Sequence, residues 1–176
     1  FDEAPFAKFA AEAAGAQHRV KVIQEDALQV VPRLVKHYGD LFGDSSAIPT
    51  YFLSEFASRE YKMVLSGDGA DEMFAGYWSH TDWMTKIFAN NSRTPGHEDW
   101  IRLVGQMNEK TLRSLWRPEM LDKLSPLHDR FSDVFRQAEK LGGSSKVQFA
   151  DLVSYLPGGI LRKVDTASMM HGLDRK

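Results

Sequence analysis

The stretch Ser66-Gly67-Asp68-Gly69-Ala70-Asp71-Glu72 puts three carboxylates within five residues and interleaves them with two glycines. Glycines let the backbone turn sharply and approach a ligand closely. Carboxylate oxygens are the ligands that a hard cation such as Mg²⁺ takes. Amides exposed at a helix start stabilise a phosphate or carboxylate. The same residues also suit a solvated turn in which Asp68 or Asp71 caps a helix. Spacing alone leans to that plainer account, because a Gly-x-Gly pattern is weak. The stretch is neither a phosphate loop ending in Gly-Lys-Ser/Thr nor an EF-hand loop.

Two further clusters carry candidate chemistry. In Tyr155-Leu156-Pro157-Gly158-Gly159-Ile160-Leu161-Arg162-Lys163-Val164-Asp165-Thr166-Ala167-Ser168-Met169-Met170-His171, a lysine in a tight, partly apolar setting can neutralise charge that builds on a phosphate. The plainer account is an amphipathic helix with Arg162, Lys163 and Asp165 in solvent and Leu161, Val164 and Met169 in a core. In Phe42-Gly43-Asp44-Ser45-Ser46-Ala47-Ile48-Pro49-Thr50, either a polar binding loop or a helix start capped by Ser45 or Ser46 fits. The six histidines have no metal-ligand spacing and read as surface or structural, and the four tryptophans read as packing residues. Asn90-Asn91-Ser92 matches a glycosylation sequon, without meaning in a cytoplasmic chain.

The elements that must position these clusters follow from periodicity and punctuation. Residues 5–14 are Ala-rich, with Pro5 just inside and Gly15 just past the end, which predicts a helix. Arg19–Ile23 alternates polar and apolar residues and predicts a strand. Leu28, Val31, Leu34, Val35 and Tyr38 keep helical spacing, with Pro32 bending that helix or starting it late. A helix at 49–59 follows the Asp40–Thr50 loop, and Tyr61–Leu65 predicts a buried parallel strand running into the glycines. Residues 78–89, 98–107, 126–140 and 146–156 predict helices. The expected fold class is therefore α/β: a partial doubly wound parallel sheet in residues 1–77, with the acidic loop beyond a strand end, and a mostly helical part in 78–176.

Composition narrows the function classes. The chain has 176 residues, 43% of them hydrophobic and 26% charged, enough to bury a core. A net charge of −2 with scattered basic residues gives no footprint for nucleic acid. The absence of cysteine removes disulfides, thiolate nucleophiles and Cys-ligated zinc, and fits a reducing, cytoplasmic setting. No apolar run approaches a membrane span. Phe1-Asp2-Glu3-Ala4-Pro5 has neither an initiator Met nor a leader pattern, so the chain is expected to begin and end within a longer protein.

Taken in order, Phe1-Asp2-Glu3, Asp44-Ser45-Ser46-Ala47-Ile48-Pro49, Val64-Leu65-Ser66-Gly67-Asp68-Gly69-Ala70-Asp71-Glu72-Met73-Phe74-Ala75-Gly76-Tyr77 and Tyr155 through Met169 resemble the glutamine-hydrolysing asparagine synthetase family. The resemblance runs almost the whole length, though residues 80–145 carry little of it. It implies an adenine nucleotide alpha hydrolase-like, ATP-pyrophosphatase domain. It implies a ligase that activates aspartate with ATP as β-aspartyl-AMP, which ammonia released from glutamine then attacks. By the same resemblance, Asp68 and Lys163 are catalytic, Ser66, Gly67 and Gly69 line the nucleotide site, and Asp71 binds Mg²⁺. Asp68 would assist the ammonia step, Lys163 would stabilise charge on the α-phosphate, and Asp165 follows it in the motif. ATP and Mg²⁺ are the implied cofactors. The partners implied are small-molecule substrates and a glutaminase domain, not nucleic acid or membrane, with homodimer formation open.

Departures qualify this. The family's Ser-Gly-Gly-x-Asp-Ser loop lies upstream of its Phe-Asp-Glu segment, so this piece is expected to lack that loop, a metal ligand on it, the glutaminase domain, and turnover of its own. Position 68 is often Glu in the family, and Gly158-Gly159 stands where acidic residues are more usual. His171-Gly172-Leu173-Asp174-Arg175-Lys176 only approximates the family's continuation. The rival readings are a related amide- or lactam-forming adenylating enzyme, against which Asp68 speaks, and a non-catalytic binding or scaffold fragment.

Overall fold

In a computed structural model of the chain, residues 2–24, 26–39, 42–89, 95–105, 109–121 and 126–175 are described. The sequon at Asn90-Asn91-Ser92, the first two residues of the loop expected from Asp40, and Phe1 and Lys176 lie outside them. The described chain divides into two compact units: Phe1–Ser66 with Lys163–Lys176, and Gly67–Arg162.

In the first unit, α1 (Ala4–Ala13) forms where Ala-rich sequence and Pro at its start predict it. Gly15, at φ 65°, closes it with the paired turn bonds Gly15 N–H to Glu12 O and Ala16 N–H to Ala11 O. The helix buries no residue. A 3₁₀ turn (Ala27–Gln29), whose Leu28 N–H is capped by Asp26, precedes α2 (Val31–Tyr38). Pro32 thus starts the helix late rather than bending it, where its missing N–H has no intrahelical partner to lose. Gly39, at φ 68°, ends α2 in the left-handed conformation. Leu34 and Tyr38 from α2 and Ala47, Tyr51 and Phe52 from α3 (Ala47–Ser58) join Val30 in a small core.

The α/β character is present only in outline, because the chain is mainly helical. The strand expected at Tyr61–Leu65 shortens to β1 (Met63–Val64), which pairs in parallel with β2 (Asp174–Arg175). No wider sheet forms among the described residues. Arg19–Ile23, expected as a strand, has no regular structure, with Val20 and Val22 exposed. A strand exists only through a partner's ladder, and this segment is held instead by side chains. Arg19 pairs with Glu60, Lys21 with Glu55, and the Lys21 ammonium sits 5.5 Å from the centre of the Phe52 ring.

The second unit is helical: α4 (Ala70–Phe74), α5 (Trp78–Ala89), α6 (His97–Val104), α7 (Glu109–Leu115), α8 (Pro118–Leu121), α9 (Pro126–Gln137) and α10 (Ser145–Val153). Its core gathers Trp83, Trp100, Val134, Phe135, Val147 and Ala150. Trp83 packs edge-on against both Trp100 and Phe135, at 5.9 and 5.8 Å between ring centres. Two of the four tryptophans are therefore core as expected, whereas Trp78 and Trp116 are exposed. A π-helical turn (Leu156–Leu161) then leads into α11 (Arg162–Met169). Such wide turns are rare and often mark functional sites.

Candidate functional site

The residues singled out by their chemistry fall in both units. In the first, Lys163 is buried, 8% exposed, on α11. Its ammonium donates to the Ser46 hydroxyl at 2.8 Å and lies 3.3 Å from Asp44 Oδ2. Asp44 Oδ1 accepts from both the Ser46 amide, at 2.8 Å, and the Ser46 hydroxyl, at 2.6 Å. The Tyr38 hydroxyl donates to the Lys163 carbonyl at 2.9 Å, tying α11 to α2. Burial alone would raise the Asp44 carboxyl's pKa. The two Ser46 hydrogen bonds and the Lys163 charge outweigh it and hold that carboxyl below the usual carboxylate range.

This arrangement departs in part from the plainer accounts of its residues. Ser46 stands at the N-cap of α3, but its side chain caps nothing there, because the hydroxyl is engaged by Asp44 and Lys163. The amphipathic pattern expected around Lys163 is also different. Val164 is buried and Arg162 and Asp165 are exposed as that account expects, but Lys163 is buried and Leu161 and Met169 are exposed. A cleft of about 210 Å³ opens beside the loop, lined by Leu34, Tyr38, Phe42, Asp44 and Ile48 among others. It is smaller than the ~300–1,000 Å³ of ordinary small-molecule sites and does not by itself house a nucleotide.

In the second unit, Gly67, Asp68 and Asp71 are exposed around the start of α4. The N-cap is Gly69, at φ 95°, so neither Asp68 nor Asp71 occupies the cap position. A residue with a side chain would be strained there, and its Cβ would reach Leu156 at 3.5 Å. The five-residue α4 carries little macrodipole, so the anion-binding argument made from a helix start is weaker than the sequence suggests. A Cβ at Gly76 would overlap the Asp71 carboxylate, so the bare glycine is what lets that carboxylate occupy its place. Ser66, exposed, belongs to the first unit.

Contacts that no sequence pattern foretold hold α4. Glu72 is fully buried, and its Oε1 accepts from the Tyr77 hydroxyl at 2.7 Å. Burial first, then this hydrogen bond and the Glu72 charge, push the Tyr77 hydroxyl far above an ordinary phenol. Gln148 on α10 donates to the Met73 carbonyl at 2.7 Å. Nearby, His80 and Asp151, both buried, meet at 2.9 Å, with the His80 ring stacked on Trp100. Their separation of 71 residues leaves no local signal. The turn Asp44-Ser45-Ser46 did carry one, since an Asp two residues before a Ser commonly takes that residue's amide.

Among the described residues, no group of three or more His, Cys, Asp or Glu side chains could hold a metal ion. A Mg²⁺ shared between one or two carboxylates and substrate phosphates needs no such cage. Asp71, an exposed carboxylate, is compatible with that mode. No helix among the described residues is long and apolar enough to cross a membrane.

The asparagine synthase family model matches residues 1–176. The chain is 26% identical over 206 residues to asparagine synthetase (glutamine-hydrolysing) 1 of Bacillus subtilis strain 168, covering 99% of this chain and 32% of that protein. It is 38% identical over 201 residues to a Mycobacterium bovis protein named provisionally as a glutamine-hydrolysing asparagine synthetase, covering 99% of this chain and 31% of that one. A similarly named Methanocaldococcus jannaschii protein is 38% identical over 81 residues, 46% of this chain and 16% of its own length. No solved structure matches the chain. The chain thus spans about a third of the length of the first two relatives. With a family match over its whole length, it belongs to the asparagine synthase family.

Proposed function

We propose that this chain contributes to the ATP-dependent amidation of aspartate. An aspartate side-chain oxygen attacks the α-phosphorus of ATP, and the bond to the bridging oxygen breaks, so that pyrophosphate leaves. Ammonia, released from glutamine by a glutaminase domain, attacks the carbonyl carbon of the resulting β-aspartyl-AMP. AMP then departs with the bonding pair, and the nitrogen loses a proton.

Lys163 carries this reading: a buried ammonium held in a fixed direction is the group expected to stabilise negative charge on the α-phosphate oxygens. Asp68 takes or electrostatically offsets the proton lost by the attacking nitrogen. Ser66, Gly67 and Gly69 give the nucleotide a close backbone approach. Mg²⁺, when bound by Asp71, neutralises phosphate charge.

The test is aspartate-dependent pyrophosphate release by the protein carrying this chain, supplied with ATP, Mg²⁺ and ammonia. Lys163→Ala is expected to lower kcat by about 10²–10³-fold, the scale for losing one preorganised charge-stabilising group. Undiminished release by that variant would remove Lys163 from the chemistry. A panel of carboxylates in the same assay separates aspartate amidation from lactam or other amide formation.

A further inference from the structure

The geometry points to Asp44 as a positioning residue: with Ser46 it forms a preformed brace that holds the Lys163 ammonium in one direction for an anionic phosphate oxygen. The inference rests on the reading of Lys163 as the phosphate-facing cation, and adds a residue to which that reading gives no role.

The Asp44–Ser46 part of the brace is closed by contacts that do not involve the lysine. Asp44 Oδ1 is anchored by the amide and the hydroxyl of Ser46, at 2.8 and 2.6 Å, a turn closed within three residues at the start of α3. That leaves Oδ2 to face the ammonium at 3.3 Å, while the Ser46 hydroxyl accepts from it at 2.8 Å. A hydroxyl that donates to a carboxylate and accepts from an ammonium has a fixed rotor, so both lysine contacts are set in direction as well as distance. At the other end, the Tyr38 hydroxyl fixes the Lys163 backbone through its carbonyl. Lysine has four rotatable side-chain bonds and loses much rotamer freedom when fixed. Anchoring its backbone and its tip from α2 and the Asp44 turn places that ordering cost in folding rather than in catalysis.

The carboxylate also solves an electrostatic problem. A nearly buried ammonium carries a desolvation cost unless it is paired, and Asp44 supplies the counter-charge. An ammonium has three donors, and among the described residues these contacts engage two of them. The third is left to meet an oxygen of the transferring group. A competing possibility is that Asp44 only occupies the lysine and must be displaced by phosphate. Removing its charge would then tighten nucleotide binding without slowing the chemistry.

The test compares Asp44→Asn, Ser46→Ala and Ser46→Thr with Lys163→Ala. The first readout is amine labelling of the 176-residue chain, with the extent at Lys163 measured by mass spectrometry against the other lysines of the same molecule. Asp44→Asn is expected to raise the relative labelling rate of Lys163 at least about threefold, because the ammonium loses its counter-charge and its tether. The second readout is steady-state pyrophosphate release by the protein carrying the chain. Asp44→Asn should lower kcat at least about tenfold with KM for ATP changed less than about threefold, the pattern of lost orientation. Ser46→Ala should lower kcat in the same way and Ser46→Thr, which restores a hydroxyl, should recover most of it.

Unchanged labelling, or kcat within about twofold of wild type in Asp44→Asn, overturns the inference. So does an Asp44→Asn variant with lower KM and unchanged kcat, which shows displacement instead. If Asp44→Asn does not fold, the Ser46 pair decides: loss in Ala with recovery in Thr supports the brace, and no difference between them overturns it. Failure of the functional reading looks different, because Lys163→Ala then leaves pyrophosphate release intact while labelling still reports on the brace.

Discussion

The two compact units bury polar groups on different terms. The Gly67–Arg162 unit is built around large aromatic rings, with Trp83 and Trp100 essentially without exposure. Its buried polar pair, His80 with Asp151, is enclosed against that aromatic wall. Its candidate chemical groups, Asp68 and Asp71, stay exposed around a short helix. The other unit has a smaller core, and many of its apolar residues are exposed, among them Val22, Leu28, Val35 and Leu65. Yet its candidate chemical group, Lys163, is the buried one, paired with a partly exposed carboxylate. A well-filled core can support exposed acids by holding the helix under them. A lysine asked to stay charged inside needs its partner supplied locally, which Asp44 does.

That contrast can be broken most forcefully at Trp100. Trp100→Ala empties the centre of the aromatic core and is expected to cost ~3–5 kcal/mol. All four tryptophans, at 78, 83, 100 and 116, lie within Gly67–Arg162, so fluorescence-detected urea unfolding reads this unit. A loss below about 1 kcal/mol would mean that the ring is not central to packing.

A second experiment compares the two side-chain pairs directly. Asp151→Ala leaves His80 buried without its partner and is expected to cost ~3 kcal/mol. Asp44→Asn removes the counter-charge but leaves a side-chain amide in the carboxylate's place, in a pair partly open to solvent, and is expected to cost less, about 1–2 kcal/mol. Equal losses in denaturant unfolding would abolish the distinction between an enclosed and an open pair.

The smallest effect concerns His171, whose imidazole sits 4.5 Å from the Tyr51 ring in the lysine-bearing unit. Burial lowers its pKa, so the folded state binds its proton less readily than the unfolded chain does. Its contribution to stability is therefore complete above the ordinary histidine value of ~6.5, and is lost as pH falls through the lower folded value. Replacing it with Phe should flatten that part of the stability profile, measured by denaturant unfolding between about pH 8 and pH 5. An identical slope in the variant would assign the pH dependence to other groups.

Much of the helical architecture was legible because its signals are local. Pro5 with Gly15 and Pro32 with Gly39 bracket α1 and α2, and the phenomenon they exploit is backbone geometry within one turn. Arg19–Ile23 failed for the opposite reason. Its alternation is a statement about a missing neighbour, and no partner strand among the described residues meets it. The acidic stretch was visible as a run of residue types, but that Glu72 turns inward while Asp68 and Asp71 turn outward depends on how α4 lies on α10.

The sequence by itself determined where most helices run, which residue types could handle phosphate and metal, and, through the order of its motifs, membership of the asparagine synthase family. Tertiary structure alone decided that Lys163 is buried and who holds it. Burial and ion pairing are properties of residues brought together from 117 positions apart, as with Ser46 and Lys163, and chain-local propensity carries no information about such a meeting. The same holds for His80 and Asp151, which only the packing of α5 against α10 could pair.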